Sequence, residues 1–263
     1  MDLGISGKRA LITGASAGLG FAAAAALAQE GVKVAINSRS EANLEKAAAR
    51  LEKETKHRPH ILPGDLALEG VAEKVAHEAA SKLGQIDILV VNAGGPPPGP
   101  FLNHSKETWE KASHLTLFSA INLARAVIPD MTKARWGRII FITSVAVKQP
   151  LENLIISNTL RAGVTGFAKS IANELAAHGI TVNTVCPGYT DTERLKGLAS
   201  NIAASTGKTI EAAYQSWRDS IPAGRLGKPE ELAALITFLA SEKAAFITGT
   251  SIQVDGGSYK GLL

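Results

Sequence analysis

The sequence predicts an α/β fold in which residues 1–263 form a single doubly wound Rossmann-type domain. About seven parallel strands would form its sheet, with helices on both faces. Apolar runs of strand length alternate with longer stretches of helical period along the chain. These strands are apolar throughout, which is typical of a parallel sheet covered on both sides. No linker, repeat or low-complexity tract divides the chain.

The predicted elements alternate in order. Apolar runs bounded by polar or glycine-containing segments predict strands at Arg9–Thr13, Val32–Asn37, His60–Leu62, Ile86–Val91, Arg138–Thr143, Ile180–Val185 and Ser251–Val254. Longer periodic stretches predict helices at Gly18–Glu30, Glu41–Thr55, Glu69–Leu83, Lys106–Ala134, Asn153–His178, Asp191–Asp219 (more than one helix) and Pro229–Ser241.

Composition excludes several classes of function. The net charge is only +4 and no long block of Lys or Arg occurs, so we expect no nucleic-acid partner. The single cysteine, Cys186, cannot form an intrachain disulfide. No apolar stretch approaches the roughly 18 residues of a membrane span, and the first residues do not resemble a signal peptide. We therefore expect a cytoplasmic protein without membrane contact, and no cluster with metal-ligand spacing predicts a metal site.

The first strand ends in a glycine-rich loop, Thr13-Gly14-Ala15-Ser16-Ala17-Gly18-Leu19-Gly20, which leads into the first helix. Glycines at such a turn let the backbone approach a pyrophosphate at the positive end of a helix. The spacing G-x-x-x-G-x-G differs from the commoner G-x-G-x-x-G, and a glycine loop alone fits any tight turn. Its place in the first strand–loop–helix unit favours a dinucleotide.

Three further motifs follow later strands: Asn92-Ala93-Gly94, Ser144 and Pro187-Gly188. Open α/β sheets bind their ligands at such carboxyl ends of strands. Together with the glycine loop and the late segment Val254-Asp255-Gly256-Gly257, these motifs resemble the short-chain dehydrogenase/reductase family, especially its 3-oxoacyl-acyl-carrier-protein reductases. The resemblance runs from about Lys8 to Gly257. It implies a nicotinamide cofactor, a small-molecule substrate and a homo-oligomer, either a tetramer or a dimer.

The resemblance also implies which residues contact the cofactor. The phosphate loop contributes Gly14, Ser16, Gly18, Leu19 and Gly20, and the adenine contacts are Asp65 and Leu66. The ribose contacts are Asn92, Ala93 and Gly94, and the nicotinamide contacts are Pro187, Gly188, Thr190 and Thr192. Asn92 is also compatible with a plain turn residue at the end of a strand.

The end of the second strand indicates which nicotinamide cofactor is used. An acidic residue there would bind the ribose hydroxyls and repel a 2′-phosphate. This chain has Ser38 and Arg39 instead, and a guanidinium can bind a phosphate through two hydrogen bonds. The sequence therefore predicts that NADP(H) is preferred, with NAD(H) still possible. The alternative is that Arg39 pairs with Glu41.

The catalytic residues that the resemblance implies are only partly present. In the family a Ser polarises the substrate carbonyl, a Tyr about thirteen residues later donates the proton, and a Lys four residues further on lowers the pKa of that Tyr. Ser144 matches the Ser, whereas Ser157 and Arg161 occupy the Tyr and Lys positions. The position of the supporting Asn holds Thr116. The Tyr-x-x-x-Lys pair is thus absent.

These replacements change the proton chemistry. A Ser hydroxyl is a far weaker acid than a phenol, whose pKa is about 10, and Arg stays protonated. Arg161 can still bind the cofactor ribose and stabilise an oxyanion. We expect Lys148 or Tyr189 to replace the missing proton donor. Alternatively, Tyr189 only packs on the cofactor and Lys148 is a solvated loop charge.

Two segments are predicted to enclose the substrate. Gly95-Pro96-Pro97-Pro98-Gly99-Pro100 would form a stiff wall, and residues 191–220 would form a lid, as the resemblance implies. Arg194 and Arg218 on that lid are available to an anionic group.

Three functions are compatible with these residues. The first is an NADP(H)-dependent oxidoreductase that interconverts a carbonyl and an alcohol with a non-standard proton donor. The second is an NADP(H)-binding sensor or structural protein without turnover. The third is an enzyme of another class on the same fold, such as a lyase, an isomerase or an imine reducer, that does not need the phenol.

Overall fold

The computed structural model describes residues 1–262 and contains a seven-stranded parallel sheet of order β3-β2-β1-β4-β5-β6-β7. Its strands, in chain order from β1 to β7, are Arg9–Ile12, Lys33–Ser38, His60–Pro63, Ile88–Val91, Gly137–Ile142, Ile180–Pro187 and Ser251–Val254. The predicted fold class is confirmed, because every strand pair is parallel.

Helices cover both faces of the sheet, as the fully apolar strands require. In chain order from α1 to α9, they are Gly18–Gln29, Glu41–Thr55, Val71–Leu83, Lys106–Ser113, Ser119–Ala134, Ile155–Leu175, Glu193–Thr206, Ile210–Ser220 and Pro229–Leu239. Side chains of α1, α2 and α9 form the core on one face. Those of α3, α5 and α6 form the core on the other face.

The predicted helix Lys106–Ala134 is wrong in one respect, because it is not a regular α-helix throughout. A π-helical segment, His114–Phe118, separates α4 from α5. The extra residue of a π-bulge shifts the helix face, and such bulges are frequent at functional sites. Other predicted boundaries agree or differ by at most three residues, and the region 191–220 contains the two helices α7 and α8.

The chain direction across the sheet reverses at β1. From there β2 and β3 extend to one side, and β4 to β7 extend to the other. Loops that leave β1 and β4 therefore diverge and open a crevice, which is where open α/β sheets bind ligands. The topology thus brings the glycine loop and the Asn92 loop to one edge.

An ion pair joins the same two strands at their opposite ends. Arg9 Nε lies 2.7 Å from Asp87 Oδ2, and the backbone N–H of Arg9 donates to the same oxygen at 2.9 Å. Gln85 donates to Oδ1 at 2.7 Å. Burial alone would raise the pKa of Asp87, but the hydrogen bonds from Arg9 and Gln85 hold it below its ordinary value. Folding is therefore linked to ionisation of this carboxylate.

Within residues 1–262, no helix combines the length and apolar character that crossing a membrane requires.

Replacing Asp87 with Asn should lower the free energy of unfolding by about 2 kcal/mol at pH 7, because charge-assisted hydrogen bonds to a buried group are lost. The carboxylate stabilises the fold above the ordinary Asp pKa of 3.8, and this stabilisation is lost as the pH falls through the lower, folded pKa. Urea unfolding of both proteins between pH 3 and pH 7 measures the difference. Glu54→Gln, in the exposed pair with Arg50, should change stability by less than about 0.5 kcal/mol. Equal losses in the two variants would contradict the assignment.

Candidate active site

A cavity of about 480 Å³ lies at the carboxyl ends of the central strands. Its wall is built from the first turn of α1, the loops after β4, β5 and β6, the start of α6, helix α7 and residues 258 and 259. The predicted site residues that line it are Leu19, Asn92, Ala93, Ser144, Ser157, Arg161, Pro187, Gly188, Tyr189, Thr190 and Thr192. The fold therefore brings the predicted cofactor and catalytic segments into one space.

Reciprocal hydrogen bonds fix the two loops on either side of the crevice. The Thr13 hydroxyl donates to the Asn92 carbonyl and accepts from the Asn92 N–H, both at 3.0 Å. The Asn92 side-chain amide donates to the Gly14 carbonyl at 3.0 Å. Asn92 thus holds the loops after β1 and β4 together, which is a structural role, and its predicted contact with the cofactor stays a prediction.

The close approach of these loops explains two of the glycines. Gly14 has φ +57°, and a Cβ there would lie 2.5 Å from the Asn92 carbonyl oxygen. A Cβ on Gly20 would collide with the Gly14 carbonyl oxygen. At Gly94, by contrast, an added Cβ would have no atom within 4 Å, so this glycine leaves open space. Close packing explains why positions 14 and 20 hold glycine, whereas it does not explain the glycine at position 94.

The two serines of the site present hydroxyl groups from different elements. Ser144 follows β5 and caps the short 3-10 segment Val145–Val147, where its Oγ accepts from the Ala146 N–H at 3.1 Å. Ser157 lies in the first turn of α6 and is only 7% exposed. Its hydroxyl makes no hydrogen bond to any residue that the structure describes, so it is available within the cavity wall.

Arg161 lies one helical turn further along α6 and is buried. Its Nη1 donates to the carbonyl oxygens of Ile142 at 3.0 Å and Thr143 at 2.7 Å, and its Nη2 donates to that of Ala93 at 3.5 Å. A guanidinium carries five N–H donors, so two remain after these three bonds. Arg161 therefore ties the ends of β4 and β5 together and still lines the cavity.

Burial changes the acidity of that guanidinium. Desolvation, with a smaller contribution from the positive charge of Arg194, lowers the pKa of Arg161 to about 10. The group is still protonated at neutral pH. It can stabilise negative charge on a bound oxygen, but it is not an effective proton donor there.

A second, very small cavity of about 10 Å³ lies behind Arg161, which forms part of its wall. Thr116 also lines it, from within the π-helical segment, and the buried Thr116 hydroxyl has no hydrogen-bond partner among the described residues. The volume is about that of one water molecule, and a buried polar atom of this kind is commonly satisfied by one.

The two predicted proton donors have different positions. Tyr189 lines the cavity, with its ring stacked on Trp217 at 5.2 Å, and burial raises the pKa of its phenol. Lys148 ends the 3-10 segment after Ser144 and is not part of the cavity wall. Tyr259, near the end of the chain, also lines the cavity. No sequence pattern indicated Tyr259, because a loop after the last strand has no period that fixes its path.

Helix α7 and the proline loop close the cavity from the solvent side. Thr192 caps α7 by accepting from the Leu195 N–H at 3.3 Å. Arg194 donates to the carbonyl oxygens of Gly95 at 2.9 Å and Pro96 at 3.4 Å. Helix α7, in the predicted lid region, is thus attached directly to the proline loop.

The remaining predicted cofactor residues lie outside this cavity. They are Gly14, Ser16, Gly18, Gly20, Ser38, Arg39, Asp65, Leu66 and Gly94. Several are held along the same edge of the sheet: Ala15 donates from its N–H to the Asn37 carbonyl oxygen at 3.0 Å, and Gly64 donates to that of Ser38 at 3.0 Å. Leu66 is buried in the core, and Asp65 accepts from the Ala67 N–H at 3.1 Å.

Arg218, the second predicted anion contact, points away from the cavity. It pairs with Glu211 and Gln215 on the surface of α8. No group of three or more His, Cys, Asp or Glu side chains among residues 1–262 is arranged to hold a metal ion.

Comparison with known proteins gives consistent matches over the chain. The model of a family described as enoyl-(acyl carrier protein) reductase matches residues 14–259. The 3-oxoacyl-[acyl-carrier-protein] reductase of Vibrio cholerae is 36% identical over 257 residues, which are 98% of this chain and 99% of that protein. The corresponding reductase of Escherichia coli K12 is 37% identical with the same coverage.

Solved structures agree with these matches. The L-sorbose reductase of Gluconobacter frateurii, complexed with NADPH and L-sorbose, is 34% identical with a TM-score of 0.94, and each chain is covered completely. YwfH, described as an NADPH-dependent reductase of bacilysin biosynthesis, is 31% identical with a TM-score of 0.91, covering 97% of this chain and 99% of that one.

Gly14→Ala should lower the free energy of unfolding by about 2–4 kcal/mol, because the methyl group meets Asn92 and a left-handed backbone is strained. Gly94→Ala is the matched control and should change stability by less than about 0.5 kcal/mol, since its methyl group enters open space. Urea unfolding of the two variants measures both values. A larger loss for Gly94→Ala than for Gly14→Ala would contradict the described packing.

Proposed function

The chain belongs to the short-chain dehydrogenase/reductase family, and on that premise we propose that it is an NADP(H)-dependent oxidoreductase. In this proposal it interconverts a carbonyl and an alcohol by hydride transfer, with a proton donor other than the usual Tyr. One observation carries the proposal: a single cavity joins predicted ribose and nicotinamide contacts to Ser144, Ser157 and Arg161.

The residues of the site fit a nicotinamide dinucleotide. Helix α1 begins after Ala17, which supplies no side-chain cap, and its first turn has no acidic residue. The free N–H groups of that turn suit a pyrophosphate. The open space beside Gly94 is compatible with a ligand next to the Asn92 loop. When bound, the cofactor supplies the hydride.

NADP(H) is the proposed cofactor. Arg39 is exposed directly after β2, and among the described residues it makes no ion pair, including with Glu41. Its guanidinium is therefore available to a 2′-phosphate. The Gluconobacter L-sorbose reductase, which matches over its whole length, was solved with NADPH.

The proposed roles of the three central residues follow from their contacts. The Ser144 and Ser157 hydroxyls can hydrogen-bond a carbonyl oxygen from two sides of the cavity. Arg161, held by three backbone carbonyl oxygens, supplies positive charge where an oxyanion develops. None of the three is a good acid, so charge stabilisation and proton donation would reside in different residues.

Tyr189 is the proposed proton donor. Tyr189 lines the cavity, and its phenol is protonated at neutral pH, which is the state needed for donation to an alkoxide. Burial raises the pKa of this phenol, which makes it a weaker acid than an exposed tyrosine. Lys148 was the other predicted donor, and its position outside the wall favours Tyr189.

Reduction of a carbon–carbon double bond conjugated to a carbonyl is a second candidate reaction. The family model is described as enoyl-(acyl carrier protein) reductase. Such a reduction leaves negative charge on the carbonyl oxygen, where Arg161 would stabilise it, and the carbon can take its proton from water. This reaction needs no phenol at position 157.

Homo-oligomer formation, as a dimer or tetramer, remains part of the proposal. Phe118, the last residue of the π-helical segment, is 45% exposed. Helix α6, whose Gly163 lies next to Leu117 of the same segment, exposes the small residues Ala162, Gly163 and Gly166. Small residues permit close helix contact across an interface.

The parent protein should bind NADPH more tightly than NADH and oxidise it with a member of a panel of ketones, 3-oxoacyl thioesters and enones. Arg39→Ala should weaken NADPH binding at least tenfold through loss of the phosphate contact, and leave NADH binding unchanged. Fluorescence titration measures the binding of each cofactor, and the fall in NADPH absorbance measures its oxidation. Binding without oxidation of any compound would favour the sensor function, and equal effects on both cofactors would contradict the role of Arg39.

Tyr189→Phe should lower kcat for ketone reduction by about 100-fold, because a positioned acid typically contributes that much or more. Its stack on Trp217 should survive, so stability and NADPH affinity should stay close to parent values. Lys148→Met should leave kcat within twofold. Initial-rate kinetics provide the comparison, and full turnover by Tyr189→Phe would exclude the phenol as the donor. Enone reduction should be insensitive to the same change.

A further inference from the structure

The charged groups that line the cavity are all of one sign. Arg161 and Arg194 both belong to its wall, which contains no Asp or Glu among the described residues. A cavity with two cations and no carboxylate is complementary to an anion, since like charges at close range disfavour each other. The effect is seen at Arg161, where desolvation and, to a smaller extent, the charge of Arg194 lower the pKa.

No acidic residue near the rim pairs with these cations in the described part of the chain: Glu152 and Asp191 are neighbours in sequence of lining residues but do not line the cavity, and two others have partners elsewhere. Glu193 pairs with Lys196 at 2.7 Å on the outer face of α7. The Asp255 carboxylate accepts from the N–H groups of Gly257 at 3.0 Å and Tyr259 at 2.8 Å. The described part of the chain therefore provides no counter-ion within the cavity.

Arg194 is positioned to bind a ligand, although solvent reaches much of its side chain. Its guanidinium lies flat against Gly95, where any Cβ would collide with it. Two of its N–H groups donate to the carbonyl oxygens of Gly95 and Pro96, and three remain. Desolvation by the surrounding loop lowers the pKa of Arg194. This fixed, partly desolvated guanidinium can form the planar two-point contact that carboxylates favour.

Much of the rest of the wall is apolar, although Gln149, Thr192 and Asn201 also line it. Leu195 and Leu198 face the cavity from α7, and Leu151 and Leu154 face it from the segment before α6. Pro96 of the proline loop completes this surface. A ligand with an apolar body and one anionic end matches such a wall better than a sugar or a highly charged phosphate ester.

We propose that Arg194 binds a carboxylate of the substrate, so that the enzyme acts on carbonyl compounds with an apolar body and a carboxylate end. Arg161 adds long-range attraction while it serves the reacting oxygen. That the bound carboxylate compound is a substrate rests on the proposed function, whereas its binding at Arg194 does not.

Two matched pairs of compounds test this site: 2-oxo-4-phenylbutanoate and 4-oxo-4-phenylbutanoate, each beside its methyl ester. Binding to the full chain loaded with NADP⁺ is measured by titration calorimetry, and NADPH oxidation is measured separately. The parent should bind at least one acid tenfold or more tightly than its ester. Arg194→Met should abolish this preference with ester binding unchanged within twofold, and Arg194→Lys should retain part of it.

Lys196→Met is the control, because it removes the same charge from α7 at a residue outside the cavity. It should leave the preference for the acid intact. Equal binding of acids and esters by the parent, or equal weakening of both by Arg194→Met, would overturn the carboxylate site. Preference for the acid without NADPH oxidation would refute the proposed function and leave the site standing. NADPH oxidation with neutral carbonyl compounds but not with the acids would overturn the carboxylate site and leave the proposed function standing.

Discussion

The reciprocal hydrogen bonds between Thr13 and Asn92 are the constraint on which the site depends. They join the loops after β1 and β4 at the point where the strand order reverses. Because the loops are held this closely, positions 14 and 20 have no room for a side chain. The first turn of α1 is thereby fixed beside the cavity with its N–H groups uncapped. One side-chain contact thus determines both the backbone path and the electrostatic character of the cofactor edge.

Arg161 imposes the second constraint. A buried guanidinium is costly unless its N–H groups are satisfied, and here three backbone carbonyl oxygens at the ends of β4 and β5 satisfy them in part. A Lys at this position would have a single, mobile ammonium group instead of a planar fork. The arrangement therefore gives a fixed positive charge at the floor of the cavity. Because this guanidinium stays protonated, Arg161 is not an effective proton donor, and the proposed function needs a donor elsewhere.

The sequence predicted the sheet, its order of elements and the segments that line the cavity, since strand period and glycine spacing are local signals. It did not predict the π-helical segment around Thr116, because no residue type marks a π-bulge and the apolar pattern keeps the helical period on either side of it. The sequence also did not predict that Tyr259 lies in the cavity wall or that Lys148 lies outside it. Both depend on the path of a loop relative to distant elements, which no local pattern encodes. The predicted roles of individual site residues remain predictions.

Charge balance connects the lid to the proposed chemistry. Arg194 is attached to the proline loop through backbone carbonyl oxygens, which partly compensate its positive charge but do not cancel it. Arg161 has the same kind of partners on the floor of the cavity. Backbone dipoles hold both cations in place without a formal counter-ion from the described residues, so the field inside the cavity stays positive. Such a field stabilises an anionic ligand and a developing oxyanion alike, and binding and catalysis would then draw on the same electrostatic arrangement.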